Sequence, residues 1–136
     1  MRLRTLVIAL LVLPVLLTGC GSKKTAQTFV HTDTTSKAPP SATFDLAVAD
    51  GKLAFDKKAI KAEAGTVELV LSNPSSTPHA IAIKGHGVNV KGKIVSSGGR
   101  SVVQATLKPG VYEFYCPVDG HEQAGMKGQL RVGNKM

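Results

Sequence analysis

Apolar residues recur at every second position in short segments from Phe44 to Val132, and this spacing restricts the fold more than any other feature of the chain. The first segment shows the pattern, with Phe44, Leu46 and Val48 separated by small or polar residues. Side chains on a β-strand point alternately to its two faces, so this period is typical of strands with one buried face. The segments with this spacing are 44–48, 53–55, 67–71, 81–83, 103–107, 112–114 and 130–132.

Turn-forming dipeptides separate the alternating segments. Glycine, proline and asparagine favour turns because they adopt or fix backbone angles that strands do not use. No segment has a sustained helical period, so short strands with regular turns predict an all-β fold, a small antiparallel β-sandwich over residues 44–134. The turn signals are Asp50-Gly51, Ala64-Gly65, Asn73-Pro74, Gly98-Gly99 and Pro109-Gly110.

The first 19 residues have the features of a signal peptide rather than of a folded domain. Arg2 and Arg4 precede an apolar run over 6–17, which is too short to span a bilayer as a mature helix. A Leu-Thr-Gly-Cys sequence ends the run at Cys20 and resembles the cleavage box of bacterial lipoproteins. The resemblance implies cleavage before Cys20, acylation of Cys20 and an extracytoplasmic protein anchored to a bacterial membrane, on the cell membrane or the periplasmic face. Ordinary signal cleavage, with Cys20 as an incidental residue, is the alternative.

A flexible tether is predicted between this anchor and the folded domain. Residues 20–43 begin with Cys20 and are then rich in serine, threonine, lysine and proline, without a sustained apolar period. Such a composition buries too little apolar surface to fold. We therefore divide the chain into a signal peptide over 1–19, a lipidated cysteine with its tether over 20–43, and one folded domain over 44–134.

The net charge does not favour a nucleic-acid partner. The whole chain has 17 Lys and Arg residues against 9 Asp and Glu, but most of this surplus lies outside 44–134. The basic residues that remain in the domain are dispersed, and a domain without tryptophan and with few aromatic residues lacks surfaces on which bases stack. We expect no nucleic-acid binding.

Cys116 is left as a single thiol in an oxidising compartment if Cys20 is acylated, and a bound metal would explain its presence. His79, Cys116 and Met126 each have the parity of the apolar positions in their own segment. All three are therefore expected to point inward from strand ends. His121 lies in the loop between Cys116 and Met126.

The types of donor favour copper over other metals. A thiolate, two imidazoles and a thioether match the two His, one Cys and weak axial Met of blue-copper sites. Structural zinc would need a fourth Cys, His or carboxylate ligand in place of Met126. Haem attachment needs a Cys-x-x-Cys-His sequence and an iron–sulfur cluster needs more cysteines, and the chain has neither.

The segment 112–126 resembles the C-terminal ligand loop of cupredoxins, the type 1 blue copper proteins. Four residues separate its Cys from its His and its His from its Met, and a Pro-His pair lies upstream. This combination resembles the plastocyanin, pseudoazurin and auracyanin group, and it looks most similar to auracyanins. Many family members have Asn after the first ligand His, where this chain has Ala80. The resemblance implies a Greek-key β-sandwich with one copper ion, Cu(I) or Cu(II), bound by His79, Cys116, His121 and Met126.

One-electron transfer between a donor and an acceptor redox protein is the function we expect of such a site. His121, in a loop of small residues, is the ligand expected to reach the surface. Copper delivery or storage is the alternative, and it would favour an exposed site richer in Met and His. We expect no enzyme, because copper oxidases and nitrite reductases need further His ligands, and the chain adds only His31 and His86. A monomer held at the membrane by its lipid is expected.

Overall fold

A computed structural model describes residues 39–136, which form two β-sheets packed against each other. The predicted signal peptide, Cys20 and residues 21–38 of the predicted tether lie outside the described residues. Residues 39–136 contain no helix, and so none that is long and apolar enough to cross a membrane. The strands are β1 (Ala42–Ala47), β2 (Ala59–Glu63), β3 (Gly65–Asn73), β4 (Ala82–Gly85), β5 (Val88–Lys91), β6 (Gly99–Leu107), β7 (Gly110–Tyr115) and β8 (Lys127–Gly133).

The two sheets have the strand orders β1-β3-β6 and β2-β8-β7-β4-β5. β1 runs parallel to β3 and β2 runs parallel to β8, while the other pairs are antiparallel. The predicted all-β sandwich is confirmed, although both sheets are mixed rather than purely antiparallel. Alternating apolar residues show which face of a strand is buried but not the direction of its neighbour, so the sequence pattern does not reveal the parallel pairs.

The core lies between the inner faces of the two sheets. β8 shows the expected alternation, because Leu130 and Val132 are buried while Arg131 between them is exposed. Burial of each large apolar side chain stabilises the fold by roughly 1.5–3 kcal/mol. The same buried cluster includes Cys116 and Met126, so two of the predicted metal ligands are continuous with the core.

The folded domain begins earlier than predicted. β1 starts at Ala42, two residues before the expected boundary at Phe44, and it pairs with β3 from its first residue. The Ser41 N–H donates to the Thr66 carbonyl at 2.7 Å, so the last residues assigned to the tether over 20–43 belong to the sheet. The residues before Phe44 are small or polar, which is why the spacing of large apolar residues does not mark them.

Two strands and one loop differ from the interpretation of the sequence. β2 has Ile60 as its only large apolar residue, and β5 has only two alternating apolar residues, Val88 and Val90, so neither alternation is long enough to mark a strand. The segment 53–55, in contrast, is not a strand. Leu53 is 39% exposed, and Phe55 pairs only through a single bridge with Val48.

Candidate metal centre

Three side chains that can bind a metal converge where β7 ends. The donor atoms of His79, Cys116 and His121 all lie within 4.8 Å of one another. Cys116 Sγ is 3.9 Å from His79 Nδ1 and 3.5 Å from His121 Nδ1. Donors that share one ion at about 2.0–2.3 Å lie roughly 3–4 Å apart, so these three atoms are spaced to bind a common metal ion.

The ends of β7 and β8 position Cys116 and Met126. Cys116 follows the last residue of β7, and Met126 precedes the first residue of β8. The Cys116 N–H donates to the Met126 carbonyl at 3.0 Å, which continues the antiparallel pairing of the two strands. Both side chains are fully buried. The structure therefore places Met126 beside Cys116 at the same end of the core.

His121 lies in the loop between Cys116 and Met126, on the connection from β7 to β8. Its carbonyl accepts a hydrogen bond from the Met126 N–H at 3.0 Å. Gly120 and Gly125 have φ angles of 79° and 96°, which residues with a Cβ rarely adopt, so the two glycines allow the loop to turn on both sides of the histidine. His121 is partly exposed, as the sequence predicts.

His79 is positioned by a backbone bridge that precedes β4. Its N–H and its carbonyl form reciprocal hydrogen bonds with Val95, each at 2.9 Å. The Asn73 side chain donates to the same Val95 carbonyl at 2.7 Å and is fully buried. In the sequence Asn73 is only a turn signal, and no local pattern distinguishes a buried asparagine at a strand end from an exposed one.

The environment of His79 favours a neutral imidazole. Burial lowers the pKa of His79 below its usual value of 6.5, and the charge of the nearby His121 lowers it further. The two imidazole rings lie 4.9 Å apart, centroid to centroid. A metal binds the neutral form of histidine, so the site keeps His79 in the state that can act as a ligand.

Two lysines outside the ligand loop contact it. Lys58 Nζ donates to the Gly125 carbonyl at 2.9 Å. Lys84, on β4, forms ion pairs with Glu122 and, at 3.0 Å, with Glu113. The hydrogen bond from Lys84 lowers the pKa of Glu122. Sequence reasoning missed both lysines because they lie 67 and 38 residues from their loop partners and share no motif with them.

His86 lies apart from the three clustered donors. It occupies the turn between β4 and β5 with a φ of 49°, and its ring packs against the Tyr112 ring with centroids 5.0 Å apart. Tyr112 precedes Cys116 by four positions along β7, which corresponds to roughly 13 Å of strand. His86 is therefore a turn residue away from the site.

The donor set fits copper. One thiol and two imidazoles, with a buried thioether residue next to them, are soft to intermediate donors of the kind found in blue-copper sites. A closed zinc site would require a fourth Cys, His or carboxylate. Among residues 39–136, the cluster contains three residues of the Cys, His or carboxylate types, His79, Cys116 and His121, and a fourth is not present in it.

The comparison with known proteins identifies the family. The Cupredoxin-like domain profile matches residues 8–132, and the chain belongs to this family. The predicted family is thus confirmed.

Solved auracyanin structures have a similar fold. Auracyanin B has a TM-score of 0.63 and 23% identity over 71% of this chain and 91% of its own. Dithionite-reduced auracyanin from the photosynthetic bacterium Roseiflexus castenholzii has a TM-score of 0.59 and 25% identity over 70% and 99%. Auracyanin A, a "blue" copper protein from Chloroflexus aurantiacus, has a TM-score of 0.58 and 24% identity over 67% and 98%. No curated protein sequence matches the chain.

Proposed function

We propose that this chain is a mononuclear type 1 copper protein that carries single electrons between a donor and an acceptor redox protein. The observation that carries the proposal is the convergence of the His79, Cys116 and His121 donor atoms at the edge of the buried core. A bound copper ion would supply the one-electron Cu(I)/Cu(II) couple. Family membership and the likeness to auracyanins support the proposal. We propose that the protein acts as a monomer and catalyses no reaction of its own.

The residues of the chain would hold the donors in one arrangement in both oxidation states. Cys116 and Met126 are fixed by the paired ends of β7 and β8, and His79 is fixed by its bridge to Val95. Groups that are held in place before an electron arrives need little rearrangement afterwards. His121 is partly exposed, and we propose that it is the ligand nearest to the bound partner.

Copper delivery or storage is less well supported by this geometry. A delivery site must open to its partner, whereas His79, Cys116 and Met126 are buried. We therefore expect copper-loaded protein to keep its copper when an excess of a strong chelator is added, over times much longer than one redox cycle. Complete transfer to the chelator within a single cycle would favour delivery.

The visible spectrum of the copper-loaded protein tests the proposed site. Wild-type protein should show an intense thiolate-to-copper band, and Cys116→Ser should lose it because the thiolate is removed. Cys20→Ser is the matched control, since it removes the other cysteine and should keep the band. A colourless wild-type protein that holds one copper ion would contradict the proposal.

We also propose that Cys20 carries a lipid that anchors the protein, outside the cytoplasm, to a bacterial membrane. This proposal depends on the sequence around Cys20, which lies outside the described residues. Mass spectrometry of full-length wild-type protein extracted from bacterial membranes with detergent should find acyl chains on Cys20, whereas Cys20→Ala should carry none. An unmodified Cys20 in the membrane-bound wild-type protein would contradict a lipid on Cys20.

A further inference from the structure

The geometry points to Asn73 as the residue that positions His79 for metal binding, an inference that rests on the proposed copper function. Asn73 is the last residue of β3, and its side chain is fully buried. A buried carboxamide has two N–H donors and an oxygen acceptor, and leaving any of them unpaired is unfavourable. The partners of this carboxamide therefore show which parts of the chain it holds together.

Asn73 uses every hydrogen-bonding group of its side chain. Its Nδ2 donates to the Thr77 carbonyl at 2.8 Å and to the Val95 carbonyl at 2.7 Å. Its Oδ1 accepts hydrogen bonds from the Ser75 N–H at 3.1 Å and from the Ser75 hydroxyl at 2.8 Å. A fully satisfied buried network of this kind makes the surrounding backbone rigid.

The two carbonyls bound by Nδ2 flank the backbone of His79. Thr77 lies two positions before His79, and Val95 is its bridge partner. The Val95 carbonyl accepts hydrogen bonds from both the His79 N–H and Asn73 Nδ2. Asn73 thus connects Thr77, just before His79 in the sequence, to Val95, which pairs with His79 across the bridge.

A second contact of Asn73 strengthens the same connection. Its backbone carbonyl accepts the Gly98 N–H at 2.7 Å, and the Ser97 N–H donates to the Ser75 carbonyl at 2.6 Å. The segment 73–75 is therefore fixed to the segment 95–98 through both side-chain and backbone bonds. His79 precedes β4 and has one backbone bridge of its own, so its position depends on this network.

Small movements of His79 matter because metal–ligand distances tolerate changes of only about 0.2 Å. His79 Nδ1 is 3.9 Å from Cys116 Sγ, slightly farther than the 3.5 Å between Sγ and His121 Nδ1. A loosened segment 77–79 would move this nitrogen relative to the sulfur. Asn73 is therefore a positioning residue that acts on the metal through His79.

Asn73→Asp tests the inference in the full-length, copper-loaded protein. The change keeps the size and the Oδ1 acceptor but replaces the Nδ2 donor with an oxygen that faces two carbonyls. We expect copper affinity, measured by chelator competition, to fall about 10–100-fold, as for other residues that orient metal ligands. The thiolate-to-copper band should shift or weaken. Asn134→Asp is the matched control, because it makes the same amide-to-acid change at an exposed side chain, so affinity and spectrum should stay unchanged.

Leu107→Ala separates positioning from general stability. Leu107 is buried at the end of β6 that pairs with Gly65, and its truncation should lower the unfolding temperature without changing the spectrum. If Asn73→Asp keeps the wild-type spectrum and affinity while losing stability in the same way, the inference is overturned. A wild-type protein without the thiolate-to-copper band would instead overturn the proposed function.

A measurement on the wild-type protein covers the case in which Asn73→Asp does not fold. The side-chain amide protons of Asn73 should exchange with solvent much more slowly than those of the exposed Asn134, because they are buried and bonded to two carbonyls. Equal exchange rates for the two side chains would overturn the inference.

Discussion

Met126 differs from the other proposed ligands because a thioether sulfur would bind copper more weakly than a thiolate or an imidazole. Met126→Leu keeps the volume and apolar character of this buried side chain but removes the sulfur. The thioether donates to Cu(II) more than a hydrocarbon can, so its loss should destabilise the oxidised state. We expect the reduction potential to rise by about 60 mV or more, a tenfold change in a one-electron equilibrium. Voltammetry of the copper-loaded variant measures this shift.

The control for Met126→Leu is a variant of β8, the strand that follows Met126 directly. Leu130→Met introduces a thioether into the same core cluster at a position of equal parity on β8, and it should leave the potential unchanged. If Met126→Leu behaves like this control, the Met126 sulfur is part of the core and not a ligand.

Asp56 fixes the loop that follows β1. The Ala47 N–H donates to Asp56 Oδ1 at 2.9 Å, and Lys57 Nζ lies 2.9 Å from Asp56 Oδ2. Burial acts to raise the pKa of Asp56, but the hydrogen bonds from Lys57 and Ala47 outweigh it and lower the pKa below 3.8. The folded protein therefore binds fewer protons than the unfolded chain, and this contribution is present above about pH 4 and lost as pH falls through the folded pKa.

We expect Asp56→Asn to reduce the free energy of unfolding at pH 7 by at most about 1 kcal/mol, because the carboxylate is partly exposed and screened. The difference from wild type should shrink below pH 4. Urea unfolding at pH 7 and pH 3 measures both values, with Asp50→Asn on the exposed turn nearby as the control. A difference that grows at low pH would show that Asp56 does not act as a bonded carboxylate.

Gly128 shows, at the scale of the strand, how closely β8 packs beside the site. A Cβ at this position would collide with the Phe114 ring and lie 2.6 Å from the Lys58 carbonyl oxygen. Gly128→Ala should therefore shift β8 and reduce the free energy of unfolding by about 1–3 kcal/mol, measured by urea denaturation. Gly133→Ala, on the same strand, would place its Cβ 3.9 Å from the nearest atom and should have little effect. Equal losses for the two variants would contradict this packing.

Strands β7 and β8 could be predicted from the sequence because their large apolar residues alternate clearly. The inward direction of Cys116 and Met126 followed from the same alternation, and both side chains are buried. The surroundings of His79 could not be predicted in this way. Asn73 donates to the carbonyl of Val95, the bridge partner of His79, and these two residues lie 22 positions apart. A contact over that distance in sequence leaves no local period.

At the scale of the whole molecule, the metal centre is assembled from chain segments that only the complete sandwich brings together. Cys116 Sγ and His79 Nδ1 belong to residues 37 positions apart. The sequence predicted the sandwich and this pairing of donors, but it did not reveal the parallel pairs β1-β3 and β2-β8. Those pairs place β1 and β2 at the edges of their sheets, next to β3 and β8.

Copper should add stability to a domain that already folds without it. The core extends through both sheets, and backbone pairing fixes Cys116 and Met126. We therefore expect copper-free protein to keep its β-sheet circular dichroism spectrum. A ligand that binds only the folded state stabilises it by mass action, by about 4 kcal/mol when the free ligand is 1,000 times its dissociation constant. Thermal unfolding with and without copper measures this gain.

Cys116→Ser should lose most of the copper-dependent gain, whereas His86→Gln should keep it because His86 packs against Tyr112 and not within the donor cluster. The pair thus separates binding at the proposed site from copper bound elsewhere on the surface. An equal gain for both variants would place the copper outside the donor cluster. Loss of the β-sheet spectrum on copper removal would show that the metal, rather than the apolar core, organises the sandwich.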